Sequence, residues 1–228
     1  IDMENKFKYT TAIHRIRGLK QRCKVIQGGS SAGKTIAILA ILIDKATSQN
    51  NLRVSVVGEN MPMLKRGAMR DFINILKMTN RYFDEHWNRS QNIYKFANGS
   101  YIEFFGADDD SKLRGARRDI LYINECNNVR FESYTQLAIR TTTAIYLDYN
   151  PVKRFWVHQE LIGFEGNDFI QLNYKDNEGL DASIIKELEA ARKKAETSDY
   201  WKNWVAVYVD GKLGSLEGVI YSNWKYCV

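Results

Sequence analysis

Gly28-Gly29-Ser30-Ser31-Ala32-Gly33-Lys34-Thr35 is the stretch of this sequence that decides its fold. It matches the phosphate-binding loop pattern G-x-x-x-x-G-K-[ST] at every fixed position. A strand-like segment, residues 23–27, precedes the loop, and a strong helix former, residues 35–43, follows it. A strand, a glycine-rich turn and a helix N-terminus make an anion site, because backbone N–H groups and the helix dipole both face the phosphates. The loop from Gly28 to Thr35 is therefore predicted to bind a nucleoside triphosphate, and ATP is the expected ligand.

The last two residues of this loop are expected to act through their side chains. Lys34 is predicted to reach the β- and γ-phosphates, which makes it a candidate catalytic residue. The hydroxyl of Thr35 is predicted to hold Mg²⁺. ATP and Mg²⁺ are thus the expected cofactors.

The composition is typical of a soluble globular domain. Of 228 residues, 44% are hydrophobic and 26% are charged, which are ordinary values for a chain with one buried core. No apolar run reaches the ~18 residues of a membrane span, and the N-terminus lacks the apolar core of a secretory signal. The three cysteines are widely spaced and form neither a disulfide framework nor a zinc pattern. A reducing cytoplasm and no membrane partner are therefore expected.

The net charge of +6 permits a nucleic-acid partner without proving one. The basic residues are dispersed along the chain, and no run of them reaches the length of a basic arm. The sequence therefore does not indicate which surface would contact DNA.

Strand and helix candidates alternate along the chain. Strands are predicted at residues 52–57, 119–123, 144–147 and 169–174, and helices at residues 61–78, 131–140, 155–162 and 182–194. Asn98-Gly99 joins two aromatic and β-branched runs, which is a strong hairpin signal. We therefore predict an α/β fold of the P-loop NTPase class, ASCE-type. Its central sheet would be mostly parallel and flanked by helices, with an antiparallel hairpin insertion.

A P-loop ATPase also needs an acid at the end of a later strand. Four apolar or aromatic residues lead to Asn124 and Glu125, at the strand end where ligands of open α/β sheets lie. Glu125 is the predicted general base or water-orienting group. Asn124 stands where the usual pair has an aspartate. Its amide can accept a hydrogen bond from a Mg²⁺-bound water but brings no charge. Asn124 is therefore a candidate residue of the metal site, and the affinity of that site for Mg²⁺ is expected to be weak.

Asn150 follows the apolar strand candidate at residues 144–147. A polar side chain in that place could sense the γ-phosphate and transmit its presence to the rest of the domain. The Asn-Pro pair is also a plain turn signal, so the residues alone leave both interpretations open.

Phosphoryl transfer usually needs a cation for the charge that develops on the phosphate. A polar loop just before the Glu125 strand contains several arginines, and the helix after the second strand contains two more. The candidates are Arg114, Arg117 and Arg118 in the loop and Arg66 and Arg70 on the helix.

Five segments taken together resemble the ATPase domain of a tailed-phage terminase large subunit, the DNA-packaging motor. They span most of the chain and lie at residues 26–35, 105–115, 121–125, 147–151 and 173–177. The last of these, Tyr-Lys-Asp-Asn after a strand, is short but distinctive beside the others. In addition, residues 211–214 and 218–221 resemble the join to the nuclease domain of that family.

This resemblance implies an enzyme, a Mg-dependent ATP hydrolase that powers translocation of double-stranded viral DNA into a procapsid. By motif, Lys34 and Thr35 bind phosphate and Mg²⁺, and Glu125 is the catalytic glutamate. Arg114 matches an arginine finger for the neighbouring subunit's site, and Asn150 falls in the coupling motif. The implied partners are double-stranded DNA, the portal protein, the small terminase subunit and further copies in a pentameric ring. The ring would act in the host cytoplasm, and the isolated chain would be a monomer.

The resemblance also implies a domain organisation. Residues 1–210 would form the P-loop ATPase domain, and residues 211–228 a linker toward a C-terminal nuclease domain. No acidic cluster follows residue 218, so nuclease activity is not expected in this sequence.

Two departures from the family reduce the charge of the site. Many members carry an arginine where this chain has Ser30, and an aspartate where it has Asn124. The alternatives are another ring-forming or helicase-like P-loop ATPase, and a non-hydrolysing module that binds ATP for assembly.

Overall fold

Residues 7–115 and 117–214 are described by the computed structural model, and strands and helices alternate along them. The strands are β1 (Cys23–Gly28), β2 (Arg53–Gly58), β3 (Trp87–Asn88), β4 (Ile93–Lys95), β5 (Tyr101–Gly106), β6 (Arg118–Ile123), β7 (Thr141–Tyr149) and β8 (Asn167–Leu172). The helices are α1 (Thr11–Arg17), α2 (Lys34–Ser48), α3 (Met61–Arg66), α4 (Ala68–Met78), α5 (Asp110–Leu113), α6 (Phe131–Ala138), α7 (Trp156–Glu160), α8 (Ala182–Ala195) and α9 (Asp199–Trp204). A π-helix, Val205–Val209, follows α9.

The strands form one sheet in the order β3-β4-β5-β2-β6-β7-β1-β8. Neighbours from β5 to β8 run parallel, and β4 and β3 extend the β5 side in antiparallel fashion. The predicted α/β fold with a mostly parallel sheet and an antiparallel hairpin is thus confirmed. One strand, β7, lies between β1, which leads into the loop, and β6, which leads to Glu125. We call the side of the sheet where the parallel strands end the carboxyl edge, and the opposite side the amino edge.

Helices cover both faces of the sheet. Val25 and Ile26 are neighbours on β1, and they belong to different core clusters because successive strand residues point to opposite faces. Ile26 shares its cluster with Leu42 of α2 and Phe72 of α4, and Val25 shares its cluster with Leu137 of α6. All six residues of β1 are buried, including the polar side chains of Lys24 and Gln27, as expected for a central strand that is covered on both faces.

The predicted helix at residues 61–78 is two helices, α3 and α4, that meet at Gly67. Gly67 leaves the helical conformation, with φ −108° and ψ −104°, and α4 restarts with an N–H of Asp71 that donates to the Gly67 carbonyl. The apolar periodicity runs on across the break, so the sequence pattern did not reveal it. The predicted helix at residues 182–194 corresponds to α8, which begins with a side-chain cap, since Asp181 accepts a hydrogen bond from the Ser183 N–H at 2.7 Å.

The end of the described chain packs against the nucleotide loop. The Gln27 side chain donates to the Gly211 carbonyl at 2.7 Å, and the Gly214 N–H donates to the Pro151 carbonyl at 2.9 Å. Residues 218–221, which carry the resemblance to the nuclease join, lie outside the described residues. The boundary at residue 210 stays a prediction. Among the helices of residues 7–115 and 117–214, none has the length and apolar composition needed to cross a bilayer.

Candidate nucleotide-binding site

The loop predicted from the sequence connects β1 to the N-terminus of α2, at the carboxyl edge of the sheet. Gly33 caps α2 in the left-handed conformation, with φ +71°, and a Cβ at this position would come within 3.1 Å of Asn177 Cγ. The first α-helical hydrogen bond of α2 runs from the Ala37 N–H to the Gly33 carbonyl. The N–H groups of residues 34–36 have no carbonyl one turn earlier, so they face the loop as an anion site requires.

Lys34 fills the hollow of this loop. It is 7% exposed, and its Nζ donates to the carbonyls of Gly28 at 2.9 Å and Gly29 at 2.8 Å and to Asn150 Oδ1 at 2.8 Å. Burial lowers the pKa of Lys34 to about 8, while the negative charges of Asp148 and Glu125 act in the opposite direction. A buried ammonium group therefore lies where the loop and the helix N-terminus converge.

A cluster around Asp148 lies beside Lys34. Asp148 is 2% exposed, near the carboxyl end of β7, and pairs in register with Ile26 of β1. The Thr35 hydroxyl donates to Asp148 Oδ2 at 3.2 Å. The Asn124 amide donates to Asp148 Oδ1 at 3.1 Å and to Thr35 Oγ1 at 3.3 Å. The two predicted metal residues are thus brought together, beside a carboxylate that the sequence reasoning missed.

Glu125 lies at the mouth of the site, two residues after the end of β6. Its backbone is left-handed, with φ 52° and ψ 54°, which is uncommon for a residue that carries a Cβ. Its N–H donates to Asp148 Oδ1 at 2.9 Å and holds this conformation. Partial desolvation raises the pKa of the Glu125 carboxyl, the charge of Asp148 raises it further, and Lys34 opposes both. A carboxylate with a raised pKa is better matched to proton transfer near neutral pH.

Asn150 bridges the two sides of the loop. Its Oδ1 accepts from Lys34, and its Nδ2 donates to Ser30 Oγ at 3.4 Å. The structure therefore brings Asn150 to the nucleotide loop, through its contacts with Lys34 and Ser30. Its role in coupling stays a prediction.

A sequence profile of the phage terminase large subunit matches residues 20–207. The chain belongs to this family. Comparison with curated proteins found no match.

Solved terminases share the fold of this terminase chain. The large terminase of a thermophilic bacteriophage matches with a TM-score of 0.76 and 16% identity, over 96% of this chain and 57% of that one. A structure of the same phage protein in complex with ATP-gamma-S matches with a TM-score of 0.71 and 15% identity, over 90% of this chain and 52% of that one. The ATPase domain of the Thermus phage P74-26 large terminase matches with a TM-score of 0.67 and 12% identity, over 91% and 94%. This terminase chain therefore spans just over half the length of the first of these proteins.

The arginine candidates of the terminase chain separate in the structure. Arg118 is buried at the start of β6, at the amino edge, where its Nη1 donates to the Leu137 carbonyl at 3.4 Å. Arg118 therefore cannot serve as the finger. Arg114 and Arg117 are exposed on the loop before β6, which Leu113 anchors in the core. An exposed arginine is able to reach a neighbouring subunit, and this role of Arg114 stays a prediction.

Two further contacts shape the nucleotide loop. Asn177, the last residue of the Tyr-Lys-Asp-Asn run, donates from Nδ2 to the Ser31 carbonyl at 3.0 Å. The Ser30 N–H donates to the Tyr208 carbonyl of the π-helix at 3.1 Å. The family resemblance marked the run that contains Asn177, but no sequence signal pointed to Tyr208.

A cavity of about 510 Å³ opens beside the start of α2. Its apolar lining includes Phe7, Ile36, Ile75 and Leu180, and Asn177 connects it to the nucleotide loop. Polar side chains, among them Asn74 and Asn177, line the rest of this cleft, and a partly apolar cleft with a few polar groups fits a planar heterocyclic base. This cavity is the candidate subsite for the base of the nucleotide.

Proposed function

We propose that this terminase domain binds ATP with Mg²⁺ at the carboxyl edge and hydrolyses it to drive double-stranded viral DNA into a procapsid. The observation that carries the proposal is the position of Lys34, buried among the loop, Asn150 and Asp148 with Glu125 on the neighbouring strand end. Similarity to a terminase structure that holds ATP-gamma-S supports the same ligand for this chain.

Phosphate binding follows from the contacts of Lys34. Its three hydrogen-bond partners are neutral oxygens, those of Gly28, Gly29 and Asn150. A phosphate oxygen carries charge and forms a stronger bond to an ammonium group. Lys34 would therefore exchange these partners for the β- and γ-phosphates, and the N–H groups at the start of α2 would complete the site.

The residues beside Lys34 fit a Mg²⁺ ion that would take some of its oxygen ligands from the protein and the others from the substrate and water. Within the described residues, no group of three or more His, Cys, Asp or Glu side chains could hold a metal ion. The Thr35 hydroxyl and the Asp148 carboxylate instead offer a small set of oxygen donors, as in sites where Mg²⁺ keeps several waters and binds substrate phosphates. When bound, the ion would neutralise charge on the β- and γ-phosphate oxygens.

Hydrolysis would use Glu125 to orient the attacking water and accept its proton. Lys34 would stabilise the charge that develops on the γ-phosphate. Arg114 of a neighbouring copy would supply a second cation. Asn150 would lose its hydrogen bond to Lys34 when the ammonium group moves to a phosphate. The contacts at the end of β7 would thereby differ between the empty and the occupied site.

The rest of the proposal follows from the family. The partners would be double-stranded DNA, the portal protein, the small terminase subunit and further copies in a pentameric ring. The assembly would work on the procapsid in the host cytoplasm, and the domain alone would be a monomer with slow basal turnover.

Phosphate release tests the enzymatic part of this proposal. We expect Mg²⁺-dependent release of phosphate from ATP by the wild-type chain. Glu125→Gln is expected to lower the rate about 10²- to 10⁴-fold, because it removes a general base. The affinity for ATPγS should stay near the wild-type value, since Glu125 binds no phosphate.

Glu59→Gln is the matched control, because Glu59 is an exposed carboxylate directly after β2, at the same edge of the sheet as Glu125. It should leave both turnover and binding nearly unchanged. A wild-type chain that binds ATPγS but releases no phosphate, even with DNA and assembled rings, would support a non-hydrolysing assembly module instead.

A further inference from the structure

Asp148 is the buried carboxylate of the nucleotide site. It lies near the end of β7, the strand between β1 and β6, and therefore faces both the nucleotide loop and the strand end that carries Asn124. A buried carboxylate is stable only when hydrogen bonds or opposite charges compensate for its burial. The hydrogen-bond partners of Asp148 therefore indicate which groups it holds in place.

The two oxygens of Asp148 are used differently. Oδ1 accepts three hydrogen bonds, from the Tyr122 hydroxyl at 3.1 Å, the Asn124 amide at 3.1 Å and the Glu125 N–H at 2.9 Å. Oδ2 accepts from Thr35 at 3.2 Å, its single hydrogen bond to the described residues. The first oxygen anchors the carboxylate, and the second is directed at the hydroxyl predicted to hold the ion.

Asn124 presents its nitrogen, and not its oxygen, to this cluster. Nδ2 donates to Asp148 Oδ1, to the Tyr122 hydroxyl at 3.1 Å and to the Thr35 hydroxyl at 3.3 Å. Three oxygen neighbours fix this orientation of the amide, since only the nitrogen side can donate. A carboxylate at position 124 could donate none of these bonds and would place a second negative charge against Asp148.

We propose that Asp148 supplies the carboxylate charge for the divalent cation of this site, and that Asn124 positions Asp148 instead of binding the ion. The charge that other members of the family carry at the end of β6 would thus reside at the end of β7, one strand nearer to the nucleotide loop. This inference rests on the proposed function, because it requires a nucleotide and its cation beside Thr35.

Moving the carboxylate between the two strand ends tests the inference. Asp148→Asn keeps the shape of the side chain and removes its charge. The double variant Asn124→Asp/Asp148→Asn restores one carboxylate at the neighbouring position. Asp119→Asn is the matched control, because Asp119 lies at the amino end of β6 and pairs with Arg53.

The measurement is the affinity for ATPγS by calorimetry, once with excess Mg²⁺ and once with EDTA. The ratio of the two affinities reports the ion without any need for turnover. We expect Asp148→Asn to lower this ratio about 10- to 100-fold, the usual effect of removing a residue that supports a metal. Its affinity in EDTA should not fall. The double variant should regain most of the ratio, and Asp119→Asn should keep it.

Two results would overturn the inference while the proposed function stands. One is an Asp148→Asn chain that binds ATPγS with the wild-type Mg²⁺ ratio. The other is a double variant that binds in EDTA like wild type but regains none of the ratio, because a carboxylate charge restored beside Thr35 would then not be what holds the ion. A wild-type chain without affinity for ATPγS would overturn the proposed function itself, and this inference with it.

Discussion

Lys24 and Lys34 lie near opposite ends of β1, and each is 7% exposed. Burial lowers the pKa of both. Lys24 donates to the Gln21 carbonyl and lies 5.4 Å from the centre of the Tyr146 ring, at the amino edge. Lys34 lies among carbonyls of a glycine-rich turn, at the start of α2. Similar burial therefore gives a structural lysine at one end and a candidate phosphate ligand at the other.

The size of the neighbouring cavity does not explain this difference. Lys24 lines a cavity of about 700 Å³, larger than the one beside the start of α2, and other cations line it as well, including Arg17, Lys20 and Lys45. Arg17, however, forms an ion pair with Asp44 in the same cavity. What distinguishes Lys34 is that free N–H groups of a helix N-terminus point to the same place as its ammonium group.

The largest difference between the two lysines is expected when each is exchanged for methionine. Lys34→Met should weaken ATPγS binding by about 2–3 kcal/mol, on the order of 30- to 150-fold, because hydrogen bonds to a charged group are lost. Lys24→Met should leave the affinity nearly unchanged. Titration calorimetry of the two variants checks both expectations. If Lys24→Met were the one that lost the nucleotide, the site would lie at the amino edge.

Two glycines give a smaller and more local test. Gly33 in the nucleotide loop and Gly163 before β8 both have left-handed backbones, with φ +71° and φ +87°. A Cβ at Gly163 meets nothing within 4 Å, whereas one at Gly33 meets Asn177. Gly163→Ala should therefore cost only the backbone strain, about 1–2 kcal/mol of unfolding free energy.

Gly33→Ala should cost more than Gly163→Ala and should also weaken ATPγS binding. Urea unfolding gives the free energies, and calorimetry gives the affinities. Equal losses of stability together with unchanged nucleotide binding in both variants would show that the packing of Asn177 under the loop is unimportant.

The smallest expected effect concerns His158, which contacts Tyr149 at the carboxyl end of β7. Its Nε2 lies 3.3 Å from the Tyr149 hydroxyl, which donates to Gln27 at 2.7 Å, and its Nδ1 accepts from the Phe155 N–H at 3.3 Å. Burial lowers the pKa of His158 below its ordinary 6.5. The unfolded chain therefore takes up the proton first as pH falls, and stability is lost from about pH 6.5 downward.

Thermal unfolding at pH 7.5 and pH 5.5 checks this expectation. The unfolding midpoint of the wild-type protein should fall more between pH 7.5 and pH 5.5 than the midpoint of His158→Gln. The corresponding difference in unfolding free energy should be less than about 1 kcal/mol. The variant should be less stable at pH 7.5, where the neutral ring makes its hydrogen bonds. Parallel losses in both proteins would mean that other groups dominate the acid response.

The sequence was sufficient for the P-loop pattern, the alternating strands and helices, and the position of Glu125 at a strand end, because each is encoded by residues adjacent in the chain. Fixed residue types at adjacent positions encode the loop, and an apolar strand followed by the polar pair Asn124 and Glu125 indicates an acid at the strand end. It was insufficient for Asp148, whose meaning depends on β7 lying between β1 and β6. The contact of Asn177 with Ser31 joins residues 146 positions apart, and no local pattern reports such a distance.

The carbonyl of Tyr208 on the Ser30 N–H ties the last described turn of the chain to the nucleotide loop. A Cβ at Gly29 would lie 2.3 Å from that carbonyl, so the two backbones are in direct contact. A change in the backbone of the loop at Gly29 or Ser30 would therefore act directly on the π-helix that touches it. Residues 205–214 are therefore the segment through which a small shift of the nucleotide loop would first reach the rest of the polypeptide.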